Sequence, residues 1–412
     1  MDRFITFLLA IYGGISITPI AGSFIPTIYQ LSFLIVLLLF VLRRLSLDSI
    51  DYQKTLIVSI FVFCAITLSY KLLNISSAAI GNVYNQLSFW CNIIFGIYVL
   101  RYVQRKEGLF LIVILWGISI FNIIDNIVLY RIFGQYIGTS FEDALIGTNF
   151  GGTPFNTYSF VFFTANYYVL LNAKKRLYKL LSLGGALLSM YYMFFCGARG
   201  TVVLLDFFVI LILPATIMIN KNKSAKPVVI GVLFVFFITI AFFMDSIANF
   251  FISIAPDRLA ARFEDLNHSV TSGVTDDSFS GRFGLYKVSI ESFFGSISSF
   301  LFGIGDHRGS ISGDFSYAEM GLGGHSEVLD QCARFGLLGI FFTYKILKGV
   351  KMMFTSMARS DVHRRLIINI LIAFFFCACI KSVLYPNIGF SMFVILPLAI
   401  KFEQYINEKI WL

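Results

Sequence analysis

The sequence predicts an all-α polytopic membrane protein with about twelve transmembrane helices and one large segment lying against the bilayer. Of its 412 residues, 58% are hydrophobic and 13% charged, against roughly a quarter charged in soluble domains. Mean hydropathy is +0.81. The apolar residues also gather into runs close to the roughly 20 residues that cross a bilayer, separated by polar turns. The whole chain, 1–412, reads as a single integral membrane domain, with the segment 245–328 as a distinct part of it.

The first run, 4–20, follows Asp2 and Arg3 and superficially resembles a signal peptide. No small-residue cleavage site precedes a soluble domain, and a second run, 24–42, follows at once, so it reads as the first span. Further runs occupy 55–73, 87–103, 109–128, 155–171, 180–196, 201–219 and 228–244, then 329–347, 366–384 and 388–400. Asp125 and Asp206 fall inside spans, where an ionisable group is costly; neither is assigned a role. The connections 74–86 and 130–154 are polar and read as linkers.

Lysine and arginine set the orientation. With both termini in the cytoplasm, Arg43, Arg44, Lys54, Arg101, Arg105, Lys106, Lys174, Lys175, Arg176, Lys179, Lys221, Lys223 and Lys226 lie inside. About two thirds of the 32 Lys and Arg then face the cytoplasm, as the positive-inside bias requires. The formal charge of +9 is therefore largely topological, and no basic face points to nucleic acid. Cys64, Cys91, Cys196, Cys332, Cys377 and Cys379 lie in or beside apolar runs without metal-ligand spacing. No internal repeat is visible, which counts against a transporter built from two halves.

In this orientation 245–328 and Arg199 face outward. Two stretches of the segment, 247–254 and 283–300, read as helices on the membrane surface; in the second, Phe283, Tyr286, Ile290, Phe293, Ile297 and Phe300 repeat at helical spacing. Chemistry-bearing residues concentrate here. Arg199, in Gly197-Ala198-Arg199-Gly200, is either a guanidinium snorkelling to the interface or an anion clamp whose paired donors match phosphate oxygens. Arg282, in Ser280-Gly281-Arg282, repeats the arrangement at the expected start of a helix, where N–H groups also favour anions. His325, beside Ser326 and Glu327, is either an interfacial polar residue or a general base toward an acceptor hydroxyl. His307 and Asp306 compete for that role from a Gly-rich loop, which also holds Arg308. A metal held by His307, His325 and nearby carboxylates lacks tight ligand spacing, so none is expected.

These motifs in this order are similar to the Wzy/ligase superfamily of bacterial O-antigen polymerases and ligases. The residues that carry the resemblance are Gly197-Ala198-Arg199-Gly200, Ser280-Gly281-Arg282 with Tyr286, Phe302-Gly303-Ile304-Gly305, and His325-Ser326 with Leu329, Gly336 and Gly339. A Cys-Gly-Ala-Arg stands where a Ser or Thr often precedes the Arg. The resemblance implies a glycosyltransferase of GT-C type in the bacterial inner membrane, active on the periplasmic face without cofactor or metal. Its donor would be an undecaprenyl-diphosphate-linked oligosaccharide, with Arg199 and Arg282 as diphosphate ligands and His325 acting on the acceptor. Arg308, Glu327 and Tyr286 are the other substrate-binding candidates. Membrane lipid and the chain-length regulator and flippase of the same pathway are the expected partners. Polymerase is the favoured activity; a ligase acting on lipid A-core and a lipid-oligosaccharide flippase are the alternatives.

Overall fold

The computed structural model describes residues 2–18, 25–42, 51–73, 75, 80–133, 153–193, 277–305, 322, 326–358, 361–380 and 383–407, with scattered positions between 227 and 253. All regular structure among them is helical. In order these are α1 (Asp2–Ile17), α2 (Ile25–Val41), α3 (Asp51–Leu72), α4 (Ile80–Tyr102), α5 (Arg105–Phe133), α6 (Thr153–Asn172) and α7 (Arg176–Tyr191). Then come α8 (Asp277–Phe294), α9 (Ile297–Phe302), α10 (Glu327–Thr355) and α11 (Asp361–Ile380). The last helix is compound: α12 (Pro386–Phe390), a wide π turn (Ser391–Ile395) and α13 (Leu396–Asn407).

The protein is membrane-embedded. Gln53–Leu72, Val83–Tyr102, Arg105–Val128 and Pro386–Asn407 are long and apolar enough to cross a bilayer, and Pro26–Val41 is a shorter apolar helix. Every predicted run up to 180–196, and each of the last three, coincides with a helix. The run 201–219 lies outside the described residues, as does most of 228–244.

Burial separates centre from rim. Of the span in α4, 83% is buried, and of Pro386–Asn407, 72%, against 33% for the spans in α3 and α5. On those rim helices Val58, Phe61, Val113 and Phe121 are exposed, as hydrocarbon-facing side chains should be. The two central helices run parallel: Asn92 Nδ2 donates to the Pro386 carbonyl, Phe89 packs edge-on to Phe393, and Lys401 reaches Val99 further along. Gly96 lets the Phe393 carbonyl of the π turn come so close that a Cβ there would overlap it. Tyr12 of α1 fits between Phe95 and Phe390, its ring centroid 5.4 and 5.5 Å from theirs.

At its far end α13 ties down its neighbours. Lys401 Nζ donates to the carbonyls of Val99 at 2.7 Å and Val103 at 3.0 Å, groups left without helical partners where α4 stops. Arg105 Nη2 donates to the Tyr405 carbonyl, and Asn407 bridges to the Asn172 carbonyl and the Lys174 N–H. In contrast to the parallel central pair, α3 and α10 are antiparallel, with Leu56 against Gly349 and Phe63 against Phe335 and Phe342.

Candidate functional site

The candidate site is built on α8, α9 and the first turns of α10, at the end of the bundle opposite Lys401. Ser326 caps α10: its backbone is extended and its Oγ accepts from the Leu329 N–H at 3.2 Å. Ser296 caps α9 in the same way, accepting from Ser299 N at 3.0 Å. The apolar periodicity of 283–300 is therefore helical, but divided into two helices at Gly295 and Ser296. Phe293, Phe294 and Phe300 meet across that corner.

Helix α10 is broken after nine residues. Gly336 takes φ 60° and ψ −152°, in the left-handed half of backbone space that favours glycine. A continuous helix would pair the carbonyls of Ala333 and Arg334 with N–H groups four residues on. Here Ile304 N and Gly305 N, from the loop after α9, donate to them instead, each at 3.0 Å. The loop turns on Gly303 and Gly305, at φ 75° and 76°. A Cβ on Gly303 would overlap the Arg334 carbonyl, and one on Gly336 would lie 2.6 Å from Gly303 N. The Phe302-Gly303-Ile304-Gly305 and Gly336 motifs, distant in sequence, are thus two sides of one backbone contact. From α3, the Tyr70 hydroxyl donates to the Phe302 carbonyl, and its ring lies 5.4 Å from that of Phe335.

The half-helix before the break carries a buried polar network. Glu327 Oε1 accepts from Arg334 Nη1 at 3.0 Å and from Gln331 Nε2 at 2.9 Å, and its Oε2 from Val383 N at 3.3 Å. The ion pair is almost wholly out of solvent, the side chains being 7% and 4% exposed. Each charge therefore needs the other, because an unpaired ion in such surroundings is expensive. One turn on, Asp330 Oδ1 accepts from the Ser289 hydroxyl of α8 at 2.8 Å. Both of these residues are buried.

The sequence-selected residues are distributed as follows. Arg282 lies on α8, which begins at Asp277. It therefore occupies the second turn, and the free N–H groups of the helix start lie before it, a correction to the expected helix N-terminus. Tyr286 is half-buried one turn further along. Glu327 is the first residue of α10, with both carboxylate oxygens turned into the network just described. Asp125 is half-buried on α5. Arg199, Asp206, Asp306, His307, Arg308 and His325 lie outside the described residues. Among the described residues no three His, Cys, Asp or Glu side chains converge to hold a metal ion.

Sequence reasoning passed over Ser289, Asp330, Gln331 and Arg334. A signal was present: Glu327, Gln331 and Arg334 stand at i, i+4 and i+7, one face of a helix, at the mouth of an apolar run. No protein-family model matches this chain, and no curated protein is a significant match.

Proposed function

We propose that the chain is a polysaccharide polymerase of the O-antigen type, an inner-membrane glycosyltransferase of GT-C architecture with about twelve spans and a periplasmic active site. The observation that carries this reading is the coupling of two chemistry-bearing elements. Helix α8, which holds Arg282, packs on the half-helix that begins two residues after His325, and the Ser289–Asp330 hydrogen bond joins them. The helix directions support the count of spans. α4 and the last helix are the fourth and twelfth runs and lie parallel; α3 and α10 are the third and tenth and lie antiparallel.

In this reading Arg199 and Arg282 clamp the diphosphate of an undecaprenyl-linked glycan, with Arg308 and Tyr286 beside them. The acceptor hydroxyl of a lipid-linked repeat unit attacks the anomeric carbon of the donor. A glycosidic C–O bond forms, the C–O bond to diphosphate breaks, and undecaprenyl diphosphate leaves with its negative charge met by the two guanidinium groups. His325 takes the proton from the attacking hydroxyl, a contribution typically worth about 10²- to 10⁴-fold in rate.

The test is a lipopolysaccharide ladder from a deletion strain complemented with variants. Loss of the gene should leave a single core-linked repeat. His325→Ala should do the same at normal protein level, and Arg282→Lys should shorten or abolish the ladder because a point charge lacks paired donors. Bare core with accumulated lipid-linked polymer would identify a ligase instead. Full ladders from both variants would refute the site.

A further inference from the structure

We infer that Asp330 and Arg334 are positioning residues, which lock three separate pieces of chain onto the half-helix Glu327–Phe335 and so fix the geometry of the outer site. The inference rests on the transferase reading above for what is being positioned, but the coupling itself stands on the geometry alone. Asp330 holds α8 through Ser289. Arg334 acts twice. Its guanidinium neutralises Glu327, whose other oxygen takes the Val383 N–H just before α12, and its carbonyl accepts from Gly305.

The break at Gly336 is what makes this arrangement necessary. A half-helix of nine residues is too short to hold its own conformation in isolation, and the glycine removes the covalent stiffness that would otherwise tie it to the long remainder of α10. Its position is therefore set by its side-chain and backbone bonds to α8, to 303–305 and to 383. Arg282 stands seven residues, two helical turns, before Ser289 on α8, and His325 stands two residues before Glu327. Loss of the Asp330–Ser289 bond therefore loosens α8, the helix that carries Arg282, from the half-helix that His325 precedes in sequence.

Hydrogen–deuterium exchange on the full-length protein in detergent micelles tests the coupling without any substrate. Asp330→Ala should raise amide exchange across 284–294 by about tenfold or more, the factor expected for losing a hydrogen bond to a charged acceptor, and leave 83–102 unchanged. Arg334→Gln should do the same for 383–385, which the Glu327 carboxylate holds, while the backbone bonds at 304 and 305 do not depend on the Arg334 side chain. Asp330→Asn, which keeps an oxygen facing Ser289, should behave as the natural protein. If Asp330→Ala does not yield folded protein, Ser289→Ala must produce the same local rise at 284–294. Unchanged exchange at 284–294, or an equal rise in 83–102, overturns the inference. In a transfer assay from an undecaprenyl-diphosphate donor, Asp330→Ala should lower kcat with little change in donor KM, and Asp330→Asn should restore it. A natural protein that transfers no glycan refutes the proposed function, while the exchange results still decide the coupling.

Discussion

Two places in this molecule face the same problem, carbonyl groups left without helical partners, and solve it differently. Where α4 ends, the flexible side chain of Lys401 swings onto the Val99 and Val103 carbonyls. Where α10 breaks, the backbone of another segment is brought up to Ala333 and Arg334, and no side chain intervenes. A side-chain cap leaves both helices regular and depends on one residue. A backbone cap demands that two main chains touch, so it depends on having no Cβ at Gly303 or Gly336. The first kind fastens a finished bundle; the second builds an irregular corner, beside the buried Glu327–Arg334 ion pair.

Substitutions can break this contrast in graded steps. The largest effect is expected from Gly303→Ala, where a left-handed backbone and an overlap with the Arg334 carbonyl act together. Strain of about 1–2 kcal/mol plus overpacking of about 1–3 kcal/mol should remove most folded protein, read by fluorescence-detected size exclusion. Next comes Arg334→Met, which strands the Glu327 carboxylate in a buried site and should cost about 3 kcal/mol or more in a detergent melting experiment. Adding Glu327→Met should recover much of that loss, since removing both charges is cheaper than removing one. Lys401→Met should cost less, about 1–3 kcal/mol, because it removes two hydrogen bonds without straining the backbone or stranding a buried charge. A Lys401→Met loss equal to that of Gly303→Ala would erase the distinction between the two caps.

The helices were legible because bilayer-length apolar runs leave few alternatives, and most predicted runs fall on helices. Their limits were less so. Hydropathy sees the apolar part of a helix, whereas α3 begins at Asp51 and α5 continues to Phe133 because helical hydrogen bonding carries on through polar residues. The interruption at Ser391–Ile395 was invisible, since a π turn changes no residue type. At the site, Gly303, Gly305 and Gly336 were recognised by resemblance, but the reason for them was not: their positive φ angles exist because a distant loop supplies the N–H groups that a continuous helix would have provided. Arg334 draws no attention in the sequence because nothing local reveals that it is buried against Glu327. Pairing across two turns shows in the spacing; burial depends on α3, α8 and α9 closing over it.

The central position of the last helix has a consequence for how the chain is made. Helices α4, α5 and α6 leave the ribosome long before Pro386–Asn407, yet the groups that fasten their ends, Lys401 and Asn407 together with the Tyr405 carbonyl, belong to that final stretch. Those ends therefore gain their fastenings only after the last helix is made, so this part of the bundle is completed from its C-terminal side. Until that helix arrives, Gly96 and Phe89 lack the Phe393 they pack on, and the Val99 and Val103 carbonyls lack the ammonium group that binds them.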